Sequence, residues 1–254
     1  MRSKFKIFFC VLFAVVFALC FTAESMAANQ YEKAMARWSR HEEYRNDLGG
    51  VFSVKATLYT VEYINNLMES EAEKNLWTAS ELEDYKYNFL NSVKIDEYLP
   101  IYLELEELGP TAHMAPFNEM IHLWVGNKKY APAEYDQRFN FPLQGKRDGI
   151  VYFPRYDEKT GASIFNRDTT LRFVMVSGAS PVLDSKEVRL NWDVKQENVG
   201  VPTSGTAADR MEIDRLLRRM EKLSGEKAEL ETQLENKKNE IDEINARIDE
   251  LRRN

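Results

Sequence analysis

Three histidines are the first residues that could do chemistry: His41, His113 and His122. His41 is followed by Glu42 and Glu43, but no second histidine follows at the spacing a zinc-protease helix requires. His113 falls in a Gly/Pro loop and His122 in an expected strand, so they share a metal only if the fold brings them together. Glu104, Glu106 and Glu107 form a carboxylate cluster. On an alternating strand Glu104 and Glu106 share the outward face, which reads as a solvated sheet surface. Acid–base pairs need one carboxylate in an apolar pocket, and spacing alone does not supply one. There is no G-x-S-x-G elbow for a serine nucleophile, and the 11 glycines build neither phosphate-binding loop. The residues therefore predict no catalytic group, no cofactor and no metal site. One window stays open. Tyr130, Tyr135, Phe139, Phe141, Tyr152, Phe153 and Tyr156 crowd together with Arg138, Lys146, Arg147 and Arg155. Aromatic platforms beside basic groups bind sugars or peptides; the other reading is that half of these rings fill a β core.

The compartment is written at the N-terminus. Arg2, Lys4 and Lys6 precede an apolar run from Ile7 to Phe21, and Ser25-Met26-Ala27 carries small residues at the −3 and −1 sites of a cleavage between Ala27 and Ala28. As a helix the run spans roughly 22 Å, short of the ~30 Å hydrocarbon core, so the expectation is a cleaved secretory signal over 1–27 and no membrane span in the mature chain. Lipidation at Cys20 is disfavoured by Phe17 at −3 and Leu19 at −1. Cys10 and Cys20 are the two cysteines, so the chain from Ala28 onward has neither disulfide nor thiol chemistry. Removing the signal takes away three basic residues and one acidic residue, moving the formal charge from −7 to −9 and disfavouring nucleic acid as a partner. The expected location is outside the cytoplasm, in a bacterial periplasm or beyond.

The elements that would position any site follow from periodicity. Residues 28–197 are rich in aromatics and long enough for one core. Tyr31, Met35 and Trp38 predict an opening helix with Gly49-Gly50 as its stop, and Phe52, Val54, Ala56 and Leu58 predict a strand. Ile64, Leu67, Met68 and Leu76 return to helical spacing, and Thr78-Ala79-Ser80-Glu81 resembles a capping box opening a further helix through Leu82, Tyr85 and Phe89. Later segments alternate: Ile101 to Leu105, Ile121 to Val125, Leu171 to Met175 and Val188 to Val194. Gly149 to Phe153 is a short apolar run. Turns are expected at Gly126-Asn127, Gly145 to Gly149, Lys159 to Gly161 and Ser177-Gly178. Helices early and strands late predict an α+β fold with an antiparallel β-sandwich-like domain.

Residues 198–206 have linker composition, and 207–254 turn to charged residues, Leu and Ile without aromatics or proline. With Ile213 at heptad position a, the apolar seam is Ile213, Leu216, Met220, Leu223, Leu230, Leu234, Ile241, Ile244, Ile248 and Leu251, interrupted by Lys227 and Lys237. A 3.5-residue period held over six heptads predicts a coiled coil. Thr206 with Asp209 is a candidate N-cap, and Glu243–Arg247 and Asp249–Arg253 are candidate i,i+4 pairs. In a parallel in-register dimer Glu226 would meet Glu231, and Arg247 would meet Arg252. An antiparallel or staggered homodimer, a different helical partner, or packing on the chain's own globular domain each avoids those clashes.

Lys55-Ala56-Thr57-Leu58-Tyr59-Thr60, Tyr152-Phe153-Pro154, Arg172-Phe173 and Leu190-Asn191-Trp192 together resemble a loose group of uncharacterised exported bacterial proteins, over residues 38–194. The resemblance implies a cell-envelope setting and carries over no catalytic role. The functional expectation is a non-enzymatic envelope protein: an interaction module with a coiled coil for oligomerisation or docking to another helical envelope protein. The alternatives are a periplasmic chaperone or assembly factor, and a sugar-binding or hydrolytic enzyme with an unrecognised carboxylate site.

Overall fold

The computed structural model describes residues 31–157, 162–164, 168–195 and 206–253. The expected signal peptide, its Ala27–Ala28 cleavage site, the Lys159–Gly161 turn and linker residues 198–205 lie outside them. The chain divides into two compact units that meet between Ala208 and Asp209.

The first unit is α+β, as its periodicities predict. A five-stranded antiparallel sheet runs in the order β1 (Ser39–Arg45), β2 (Val51–Leu58), β3 (Tyr98–Ala112), β7 (Leu143–Pro154), β6 (Glu134–Tyr135). A four-stranded antiparallel sheet runs β5 (Lys128–Tyr130), β4 (Ile121–Val125), β8 (Asp168–Met175), β9 (Val188–Lys195). Period-two alternation sends one face of each strand inward. Phe52, Val54 and Leu58 of β2 and Leu99, Ile101, Leu103 and Leu105 of β3 share one buried cluster with Ile121, Leu123, Phe173, Leu190 and Trp192 of the second sheet. Phe153 and Phe173 cross edge-to-face between the sheets at 6.4 Å, and the Trp192 indole donates to the Trp38 carbonyl at 2.9 Å.

Two helices join β2 to β3. α1 (Val61–Asn75) is capped by Thr60, whose hydroxyl accepts from the Tyr63 amide at 3.1 Å. α2 (Ala79–Ser92) opens on the predicted capping box: the Thr78 amide donates to Glu81 Oε2 at 2.8 Å, and the Glu81 amide donates back to Thr78 Oγ1 at 3.3 Å. Ile64 and Met68 of α1 and Leu90 of α2 are buried with Val93 and Ile95, apart from the cluster between the sheets. Tyr63 stacks on Tyr59 at 5.0 Å and Tyr59 on Tyr102 of β3 at 6.3 Å, which ties α1 to the outer face of the first sheet. A short α3 (Phe117–Met120) leads into β4.

Two local expectations are corrected. The opening helix covers only residues 31–36; Ser39–Arg45 is an edge strand, and Gly49-Gly50 closes a hairpin instead of stopping a helix. Asn46 builds that turn by accepting from the Leu48 and Gly50 amides, with Gly49 at φ +82°. β1 has no apolar alternation of its own because its partner β2 supplies the ladder, and its polar side chains suit an edge. The expected turn over Gly145 to Gly149 lies within β7, paired residue by residue with Leu103 to Glu107 of β3. Gly149 serves packing there: a Cβ would stand 3.0 Å from both Phe139 Cε2 and Asp136 Cβ.

The second unit begins within α4 (Thr206–Arg253), a single helix of 48 residues. The chain is already helical at Thr206, the last residue of the expected linker. Gly149→Ala should lower the unfolding free energy by about 1–3 kcal/mol through overpacking, and Thr78→Ala by about 1 kcal/mol through loss of the cap. Urea melts of the two variants check both values.

Candidate functional site: the outer face of the first sheet

Register decides which polar residues of the first unit meet. On the outer face, His41, Lys55, Glu104 and Asp148 stand in one cross-strand row, and Glu43, Ser53, Glu106 and Lys146 in the next. Directly opposed side chains lie close enough to interact. Lys55 Nζ meets Glu104 Oε2 at 2.6 Å, and Lys146 Nζ lies 3.6 Å from Glu106 Oε2. His41 Nε2 and Ser53 Oγ share a hydrogen bond of 2.9 Å. The Tyr102 hydroxyl donates to Asp148 Oδ2 at 2.7 Å. That carboxylate, with burial behind it, pushes the Tyr102 hydroxyl up to about 12. All of these side chains except Glu43 line an open groove of about 290 Å³.

The groove is a polar surface in which Lys55 and Lys146 are already paired with Glu104 and Glu106. The exposed Lys–Glu bridges contribute on the order of 1 kcal/mol or less each. His41 and Ser53 bring a base and a hydroxyl together, but acyl transfer also needs amides aimed at a developing oxyanion. Ser53 lies in β2, which pairs with β1 on one side and β3 on the other, so its amides serve the ladders. The arrangement can hydrogen-bond a polar ligand, and it gives Ser53 no oxyanion site.

The carboxylate cluster divides as alternation requires. Glu104 and Glu106 face out, while Glu107 is fully buried. Ser180 Oγ donates to Glu107 Oε2 at 2.5 Å and accepts from the Val182 amide at 3.0 Å. Glu107 Oε1 has no hydrogen-bond partner among the described residues. Burial pushes the Glu107 carboxyl above the ordinary glutamate range, against the smaller opposing pull of the Ser180 hydroxyl. Buried in this way it links β3 to the β8–β9 connection and touches no solvent.

The histidines stay apart in role. His113 is exposed. His122 is half-buried in β4, and burial holds its imidazole below the usual value. Among the described residues no three His, Cys, Asp or Glu side chains gather as a metal site. The aromatic window also separates. Phe139 and Phe153 enter the core, Phe139 stacking on Phe117 at 4.6 Å. Tyr152 packs edge-on against Tyr98 at 5.8 Å, where Lys94 lies over both rings and binds Glu134. Arg138 clasps Asp136, and Arg147 donates to the Phe141 and Pro142 carbonyls. Arg155 is buried and donates to the Tyr98 carbonyl at 3.2 Å. The window thus forms no continuous platform. The Lys94–Glu134 clamp joins residues 40 apart and has no sequence signature.

On α4, the ten seam residues Ile213, Leu216, Met220, Leu223, Leu230, Leu234, Ile241, Ile244, Ile248 and Leu251 are each between 41% and 64% exposed. Arg247 pairs with Glu250 at 2.7 Å and not with the expected Glu243. The side chains of Thr206 and Arg253, and so the expected cap and the Asp249–Arg253 pair, lie outside the described ones. No helix among the described residues is long and apolar enough to cross a membrane. No family model, curated protein or solved structure matches this chain.

Glu107 makes a stability prediction with a definite sign. Its folded value lies above its unfolded value, so the folded state holds the extra proton. The contribution of Glu107 to stability is therefore fully present below about pH 4.3 and is lost as pH rises through the folded value. Glu107→Gln should flatten this decline, stabilising the protein at pH 8 relative to the parent and leaving it little changed at pH 4. Urea unfolding at the two pH values measures the effect.

Proposed function

We propose that this chain is a non-enzymatic exported protein of the bacterial cell envelope, a β-sandwich interaction module carried on a helix that associates with another helix. The supporting observation is the seam of α4: ten Ile, Leu and Met side chains at coiled-coil spacing, exposed over a 48-residue helix. A lone amphipathic helix is marginal in water, and covering such a seam gains on the order of 1 kcal/mol per residue. The outer face of the first sheet adds a polar surface for weak contacts. The hydrolase alternative gains nothing from the buried acid, because Glu107 has no exposure through which to meet a substrate.

Export is part of the same reading and rests on the N-terminal pattern of charges, apolar run and small residues. N-terminal sequencing of protein from a bacterial envelope fraction should begin at Ala28.

Light scattering on the chain from Ala28 should give a mass above that of the monomer, and crosslinking in intact cells should run through α4. Leu230→Asp combined with Leu234→Asp should abolish both while leaving the thermal unfolding of the first unit in place. A monomeric parent that forms no crosslink through α4 would overturn the proposal.

A further inference from the structure

We infer that the partner of α4 is a second copy of itself, running antiparallel, in the register that sets Ile213 opposite Ile244 of the second copy. The inference rests on the helix association proposed above and identifies its partner.

Charge complementarity selects this arrangement. In a parallel in-register pair, each g residue meets the e residue five positions later on the other helix. Glu226 then meets Glu231, Arg247 meets Arg252, and no g–e contact joins opposite charges. In an antiparallel pair, a residues layer against d residues, g against g and e against e. The alignment with Ile213 opposite Leu251 puts Lys227 against Lys237, Arg219 against Arg247 and Glu226 against Glu240. Each of these contacts is repulsive and occurs twice by the two-fold axis.

Sliding by one heptad, to Ile213 opposite Ile244, reverses the balance. Glu212 now meets Arg247, and Arg219 meets Glu240, each twice. No like charges meet at e or g. Lys227 faces Leu230 and Lys237 faces Met220, so the two seam lysines lie along apolar neighbours with their ammonium groups free to reach water. Three further layers are Ile–Ile, Leu–Ile and Leu–Leu, and at the ends of the overlap Ile248 faces Asp209 and Leu251 faces Thr206. Residues 206–251 of α4 overlap, a rod of about 70 Å. Sliding one heptad the other way, to Met220 opposite Leu251, also joins unlike charges. It pairs only residues 218–253 of α4 and leaves Ile213 and Leu216 with no residue of α4 opposite them.

Reversing one charge separates these arrangements. Arg247→Glu turns two attractions into two repulsions in the inferred register and should weaken dimerisation of the chain from Ala28 by roughly tenfold. In a parallel dimer the same change meets Arg252 and tightens association. Adding Glu212→Arg should restore the affinity to within about threefold of the parent. The double variant loses the intrahelical Glu212–Arg215 and Arg247–Glu250 pairs, so recovery reports the contact between chains and not helix propensity. Circular dichroism of each variant checks that the helix persists.

The chain from Ala28 has no cysteine, so single cysteines report register directly. Oxidising a mixture of Ile213→Cys and Ile244→Cys chains should give the crossed disulfide, while Ile213→Cys alone should give none. A 213–213 disulfide overturns the inference in favour of a parallel pair, and a tighter Arg247→Glu dimer overturns it in favour of a parallel pair or of the antiparallel alignment with Ile213 opposite Leu251. Crossing between Met220→Cys and Leu251→Cys in place of the 213–244 disulfide overturns the register. A monomer that crosslinks through α4 to a foreign chain overturns self-pairing while leaving the proposed function standing. A monomer without any such crosslink removes both.

Discussion

The architecture of the first unit depends on the two-residue period of β3. This strand lies inside the five-stranded sheet, pairing with β2 on one side and β7 on the other. Its odd-numbered positions from Leu99 to Leu105 enter the core, while Tyr102, Glu104 and Glu106 face outward. A slip of one residue would bury those carboxylates and expose the aliphatics, at a cost of several kcal/mol per buried charge. Register is therefore strongly specified. The paired groove is a direct consequence: once Glu104 lies opposite both Lys55 and Asp148, the outer face becomes a ladder of opposed polar groups.

The same period accounts for the inward acid of β3, Glu107. Glu107 occupies the next inward position after Leu105, where β3 approaches the irregular stretch of its pairing with β7. The fold accommodates it with the Ser180 hydroxyl, whose oxygen also caps the turn at Pro181–Leu183. A buried carboxyl with one donor and a raised titration point favours its neutral form, which lowers the penalty of burying it. Its place is structural, between the first sheet and the loop joining β8 to β9.

α4 follows a different logic. Its seam is written in local sequence at a 3.5-residue period, and the helix is held by its own backbone and by surface ion pairs such as Lys237–Glu240 and Arg247–Glu250. Such pairs contribute a few tenths of a kcal/mol each, much less than covering the seam would. The two units thus draw on different sources of stability: long-range strand pairing and core burial in the first, and local backbone hydrogen bonds and surface ion pairs in the second, whose apolar stripe stays exposed. This contrast is what makes helix association the leading functional reading.

Much of this was legible in the amino-acid sequence, because it depends on neighbours only a few residues apart. The alternation of β2, β3, β4, β8 and β9, the Thr78–Glu81 capping box, the outward placement of Glu104 and Glu106 and the heptad spacing of α4 are all local patterns. Tertiary structure decided the rest. Ser39–Arg45 is a strand because β2 offers it a ladder, and Gly145 to Gly149 is extended because β3 pairs with every residue of it. The aromatic window divides between core and surface because Phe139 meets the ring of Phe117 in α3 and Phe153 that of Phe173 in β8. His41 finds Ser53, Lys94 finds Glu134 and Glu107 finds Ser180 across separations that no local spacing encodes. Hydrogen bonds and packing between remote segments form only when the whole sheet is assembled, so composition and periodicity carry the elements and the fold alone carries their partners.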